Sequence, residues 1–499
     1  MGTTREDGAS APEASGTGGK KQDAGDSGYA KGLHNRHIQM IGIGGAIGSG
    51  LFLGSAARLQ SAGPSLILSY IACGAVAMIV VMALGEMVVH RPSSGAFVSY
   101  AREFIGEKGA YVAGWMHFVN WAFTLIADAT TMAIFLSYWT PIKEALPQWA
   151  LAAIGLAVVL VVNLIGVKLF GEMEFWFAII KVGAILAFMA VSIYFIVTGA
   201  DLGAEGMPAT AGLHNITDQG FFPHGFGAAV TVSTGVIFSY AAMELIGVAA
   251  GETENPGKVM PGAVRSVIWR ILLFYVGTIT LLCLLLPTDQ YQAGESPFVT
   301  VLDRVGFHIG GVHMADIMQV VLISAVASSM NSGLYSTGRV LRSMAVAGTA
   351  PRFLGRMSSH KVPYAAILTT AGFGLVGVGI NFFYPSEAFE IVLEIASLGI
   401  IGVWSIILVS HALMVRKARR GEMERPHFVL HGAPVLNYLA LAFLAVVVVL
   451  IAFGDDHKAA MSVYVGVPAL LVLLTGGWFA VRGRIDAEAF DEAEAETKG

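Results

Sequence analysis

A glycine-dense run, GGAIGSG from Gly44 to Gly50, interrupts an apolar stretch long enough to cross a bilayer. Each glycine inside a helix costs about 1 kcal/mol against alanine, so this run favours an opened backbone. Within hydrocarbon, opened backbone survives only where protein or a water-filled cavity covers it. Its freed N–H groups then suit an anionic group held at membrane depth. The pairs Gly44/Gly48 and Gly50/Gly54 also fit close helix contact, and on the sequence the two readings coexist. A dinucleotide-binding fingerprint fits poorly, because no strand precedes the glycines and their spacing is wrong.

Ionisable side chains inside apolar segments carry the second chemical signal, since each costs roughly 2.5–3.5 kcal/mol at a span centre. They are Glu86, His117, Asp128, Lys181, Glu244, Asp316 and Glu394. Glu86 and Asp316 lie near segment ends, where a charge snorkels or caps at little cost. Lys181 has apolar neighbours for a turn on each side in FWFAIIKVGAILAF. Its ammonium must find oxygen partners or lose its proton. Such a lysine either stands in for a bound cation and carries a proton, or is permanently paired with helix-end carbonyls. His117, Asn120, Trp121, Thr124 and Asp128 recur at steps of three and four, which sets them along one helical face. On that face Asp128 is suited to an ammonium or amide of a ligand, and Asn120 and Thr124 to a polar side chain. Interhelical hydrogen bonding is the alternative for the same residues. Ser324, Ser328 and Asn331 repeat similarly and read as helix packing.

These groups need a membrane scaffold, and the composition supplies one. The chain has 499 residues, 55% hydrophobic and 13% charged, with a mean hydropathy of +0.68. That is too apolar for a soluble globular protein. The reading is an all-α polytopic membrane protein, with about twelve segments near the 20-residue span length. They run at 37–60, 65–89, 111–138, 148–167, 174–198, 226–250, 263–286, 310–338, 363–383, 388–414, 435–453 and 461–481. Lys and Arg support the count, because they should concentrate in cytoplasmic loops. With the N-terminus inside, the outer loops hold Arg58, Lys143, Arg304 and Lys458. Inner loops hold Arg339, Arg342, Arg352, Arg356 and Lys361, then Arg416, Lys417, Arg419, Arg420 and Arg425. Both termini are expected in the cytoplasm. Residues 1–30 read as a disordered tail, 31–482 as the transmembrane domain and 483–499 as an acidic tail. The net charge of −5 is spread over loops and tails and suggests no nucleic-acid partner. Cys73 and Cys283 fall inside spans, which excludes a disulfide framework or a cysteine zinc site.

A second interruption is expected in the sixth span, FSYAAMELIGVAAGETENP, where Glu244 lies deep among small residues. Breaks in the first and sixth spans, five apart, are what an inverted repeat of five plus five helices produces, with two extra C-terminal helices. No HExxH, paired acids or positioned nucleophile marks an enzyme.

IQMIGIGGAIGSGLFLGS, ALGEMVVHRPSSGAFVSYAREFIG, FGEMEFWFAIIKV, FSYAAMELIGVAAGETENP and NSGLYSTGRVLRSMA resemble signature stretches of bacterial amino acid permeases, in the amino acid-polyamine-organocation superfamily. The resemblance covers residues 31–482, and HRPSSGAFVSYAREF with GWMHFVNWAFTLIADATTMA is most similar to the asparagine-transporting subfamily. It implies a secondary transporter importing a neutral polar L-amino acid, asparagine foremost, by proton symport with alternating access. Permeases for glycine, D-alanine, D-serine or γ-aminobutyrate, and a non-transporting receptor, are the alternatives. By the same resemblance the substrate carboxylate meets the N–H groups of Ser49 and Gly50, and the α-amino group meets the carbonyls of Ala46 and Ala241. Phe238 matches the closing aromatic, where some relatives have tryptophan. Asn120, Trp121, Thr124 and Asp128 match the face that reads the side chain, and Glu244 matches the sixth-span acid. Lys181 matches a lysine standing where sodium-coupled relatives hold sodium, which implies proton coupling without metal or cofactor.

Overall fold

The computed structural model describes residues 47–93, 95–199, 201–202, 210–250, 256–385, 388–453, 460–483 and 485. Most of the two expected tails lies outside these residues, as do Gly44, Gly45 and Ala46 of the glycine run.

Among the described residues, ten helices are long and apolar enough to cross a membrane. The first, Gly54–His90, joins the end of the first expected span to the whole of the second through a turn at Gly63–Ser65. The others correspond to the expected third (Glu107–Leu136), fourth (Gln148–Ile165), fifth (Val167–Thr198), seventh (Met260–Leu285), eighth (Met314–Val346), ninth (Tyr364–Phe383), tenth (Ala388–Arg419), eleventh (Val435–Ala452) and twelfth (Val463–Val481) spans. The sixth is broken, with helices at Gly225–Thr231, Ser233–Ser239 and Leu245–Ala250. Among the described residues the one sheet is a hairpin of two-residue strands, His308–Ile309 against Val312–His313.

Two boundaries differ from the sequence reading in ways that matter. The fifth span starts at Val167 rather than 174, because Gly166 at φ +156 turns the chain with no intervening loop. The eighth runs on to Val346, so Arg339 and Arg342, expected in a loop, are helical and buried. Charge had mimicked a boundary in both places.

The third, eighth and tenth spans form the centre. In the third, 78% of the most apolar window is buried inside the protein, against 0% in the twelfth, which belongs at the lipid-facing rim. Lipid tails offer no hydrophobic gain for helix association, so close packing must hold the bundle together. Small residues permit it: Gly399 of the tenth span sits on the Asn120 backbone, and Gly333 of the eighth on the Trp121 ring. A Cβ at Gly399 would lie 2.7 Å from Asn120 Cα.

Candidate functional site

Gly48, in extended backbone, leads into a four-residue helix, Ser49–Phe52. Leu51 and Phe52 both donate their N–H groups to Gly48 O, at 3.3 and 3.2 Å. First-turn N–H groups have no acceptor within their own helix, which leaves those of Ser49 and Gly50 for another partner. Gly50 faces the other break. A Cβ there would lie 2.8 Å from Ser239 Cα and 2.9 Å from Phe238 Cδ1. The two interrupted segments thus meet at a contact only glycine allows.

The sixth-span helix Ser233–Ser239 stops as Tyr240 and Ala241 bond back to Ile237 and Phe238. Ala242 then takes φ +70, a left-handed conformation costing an alanine about 1–2 kcal/mol, before the helix resumes at Leu245. The sixth-span interruption is therefore present in the backbone, and of the first only the helix start after Gly48 lies among the described residues. Phe238 and Ala241 are buried at this break, and Glu244 is buried beyond it, beside the Trp404 indole and in the field of Arg270. Arg270 itself begins a π-helical segment, Arg270–Gly277, in the seventh span.

Two charges tie the first break to the bundle. Ser49 Oγ donates to Asp128 Oδ1 at 2.6 Å, joining the break to the third span. Lys181 Nζ donates to Ile47 O at 3.4 Å and to Ser328 Oγ at 2.8 Å, joining it to the fifth and eighth. Ser328 Oγ in turn donates to Glu174 Oε2 at 2.7 Å. The packing role expected for Ser328 and Asn331 is too narrow, since both bind the Glu174 carboxylate.

The rest of the third-span stripe is divided among neighbours. Thr124 Oγ1 donates to Asn120 Oδ1 at 3.2 Å, and His117 Nε2 pairs with Ser336 Oγ at 2.8 Å. Asn120 Nδ2 and Trp121 Nε1 are buried without a partner among the described residues. Asp128, expected to face a ligand, accepts Ser49 Oγ on Oδ1, and its Oδ2 is buried without a partner among the described residues. Ala46 lies outside the described residues.

Sequence reasoning missed Glu174, Arg270 and the environment of Arg58. Glu174 is seven residues from Lys181, two helical turns along one face, and that spacing was readable. Arg58, assigned to a loop, is buried in a helix beside Gly235. With Thr234, Glu390 and Glu394 it lines a cavity of about 620 Å³ next to the sixth-span break.

A broken sixth span that meets a helix start at Gly50 inside a helical membrane bundle, pinned by buried charges, fits the transporter class rather than an enzyme. The chain belongs to the amino acid permease family, whose profile matches residues 37–489, and it is an amino acid transporter. It is similar to the L-asparagine permease of Streptomyces coelicolor, 53% identical over 488 residues that cover 98% of this chain and 97% of the relative. The L-asparagine permease of Salmonella typhimurium is 50% identical over 464 residues, covering 93% and 91%. L-asparagine permease 1 of Mycobacterium tuberculosis is 49% identical over 464 residues, covering 93% of each.

Proposed function

We propose that this transporter imports a neutral polar L-amino acid, asparagine foremost, by proton symport with alternating access, in the cell membrane with both termini cytoplasmic. The observation that supports it best is the contact of Gly50 with Phe238 and Ser239, where the breaks of the first and sixth spans meet. In this reading the Ser49 and Gly50 N–H groups hold the carboxylate, and the Ala46 and Ala241 carbonyls hold the ammonium. Backbone groups suit a moiety common to all amino acids. Phe238, on the second break, closes over the substrate. Asn120, Trp121 and Thr124 read the side chain, and Asn120 Nδ2 and the Trp121 indole N–H, without a partner among the described residues, fit that role. Asp128 holds Ser49 in place, so its effect on selectivity passes through the break. Glu244 tunes the second break, and Lys181 carries the coupling proton. A five-plus-five inverted repeat relates the two halves.

Purified protein in proteoliposomes should accumulate labelled L-asparagine when an inward proton gradient is imposed, and a protonophore should collapse that uptake. If a panel of asparagine, glycine, D-alanine, D-serine and γ-aminobutyrate gives no gradient-driven uptake, the reading is overturned. Competition within the same panel fixes the substrate.

Lys181→Ala tests the coupling group. Uptake should lose its dependence on the pH gradient while asparagine binding, read by isothermal calorimetry, persists. Loss of folded protein on gel filtration would instead assign Lys181 to architecture.

A further inference from the structure

Glu174 is 1% exposed, and both of its oxygens are held by the eighth span. Ser328 Oγ donates to Oε2 at 2.7 Å and Asn331 Nδ2 to Oε1 at 2.9 Å. The ammonium of Lys181 donates to that same Ser328 oxygen at 2.8 Å. A hydroxyl is at once donor and acceptor, so the two charged groups are wired through one oxygen.

The line continues beyond Glu174. Asn163 Nδ2 donates to Asn331 Oδ1 at 2.6 Å, and Asn163 lines a small cleft with Phe170, Tyr335, Arg339 and Lys361. Ser328, Asn331, Tyr335 and Arg339 descend the eighth span at steps of three and four, while Lys181, Glu174 and Phe170 descend the fifth beside them. At the cleft, the Phe170 and Tyr335 rings stack at 3.9 Å, and the Arg339 guanidinium lies 3.4 Å from the Tyr335 ring centre. That stack closes the end of the line nearest Lys361.

We propose that Glu174 accepts the coupling proton from Lys181 through the Ser328 hydroxyl and releases it to water entering past the Phe170, Tyr335 and Arg339 stack. The inference rests on the proton-symport reading and adds the exit route. An N–H bond of Lys181 breaks as an O–H bond forms on Ser328. The original Ser328 O–H breaks as one forms on Glu174 Oε2. Lys181 ends neutral, Glu174 ends protonated, and Ser328 is a hydroxyl again. The net charge of the three groups is unchanged, which keeps the transfer cheap at a buried site. Water in the opened cleft then takes the proton from Glu174, and rotation of the Ser328 hydroxyl resets the relay. The other charges facing Lys181 are Asp128 on the third span and Arg270 on the seventh, and Lys181 is the charge facing Glu174.

The test compares two assays on full-length protein in proteoliposomes: proton-driven accumulation of labelled substrate, and substrate homoexchange without a gradient. Glu174→Gln should lower accumulation at least about tenfold and flatten its pH profile, while homoexchange persists. Ser328→Ala should do the same, and Ser328→Thr, which keeps the hydroxyl, should retain accumulation. The proposal is overturned if Glu174→Gln accumulates substrate with an unchanged pH profile. It is equally overturned if Ser328→Ala matches Ser328→Thr, which decides the matter should Glu174→Gln fail to fold. Absence of proton-driven uptake by the unmutated protein would sink the symport reading itself, a separate result.

Discussion

Gly50→Ala is expected to abolish uptake in protein that still inserts and folds. The new methyl would sit 2.8 Å from Ser239 Cα, and a backbone atom inside a packed helix cannot rotate away as a side-chain end can. The first break must then move off the second. Overpacking of this kind costs about 1–3 kcal/mol, which a bundle of this size survives. Function is less tolerant, because a 1 Å misplacement of positioned groups can cost about a hundredfold. The Ser49 and Gly50 N–H groups ride on one segment and Phe238 on the other, so a shift between them disturbs both the cradle and its closure. Gly183→Ala is the matched control: it lies in the fifth span two residues from Lys181 and has nothing within 4 Å of its Cβ position. Proteoliposome uptake of both variants, with folding checked by gel filtration, decides the case. Uptake by Gly50→Ala equal to that of Gly183→Ala would remove the meeting of the breaks from the mechanism.

What the sequence makes legible here is local. Glycine density and small residues weaken a helix wherever they stand, and both the helix start after Gly48 and the sixth-span break fall in such stretches. Hydropathy marks the spans for the same reason. Charge near a boundary misleads, because hydropathy alone cannot separate a helix entering the headgroups from one continuing into protein. Glu174 and Arg339 were lost that way, although the seven-residue step from Glu174 to Lys181 was visible. Partners far apart in the chain are the least legible. Nothing near Asp128 announces Ser49, 79 residues away, so the hydrogen bond from the Ser49 hydroxyl to its Oδ1 could not be read from the local sequence. Likewise nothing near Glu86 announces a loop more than 330 residues later, and the snorkelling expected there is replaced by complete burial.

Glu86→Ala should produce the largest loss of stability of any single substitution considered. The carboxylate at the end of the second span accepts Arg425 Nε at 2.7 Å on Oε1 and Arg425 Nη2 at 2.8 Å on Oε2. Oε2 also accepts His411 Nε2 at 3.0 Å and the Leu430 N–H at 2.6 Å. Asn437 Nδ2 meets the other nitrogen of His411 at 2.9 Å, extending the network from the tenth span to the eleventh. One side chain therefore fastens three spans and the loop between two of them. Removing it strands a guanidinium, an imidazole and a backbone N–H, and breaking a buried ion pair from one side costs about 3–5 kcal/mol. The lower part of that range is expected, because the Arg425 side chain is 30% exposed and can turn towards water. Arg425→Ala alone should cost less, since His411 and the Leu430 N–H still satisfy the carboxylate. In the double variant the losses should fall short of additive, the mark of a shared network. Thermal unfolding in detergent measures all three. A midpoint for Glu86→Ala equal to that of the unmutated protein would mean that the loop is held by its apolar contacts, with Leu430 and Phe428 rather than the carboxylate as the fastening.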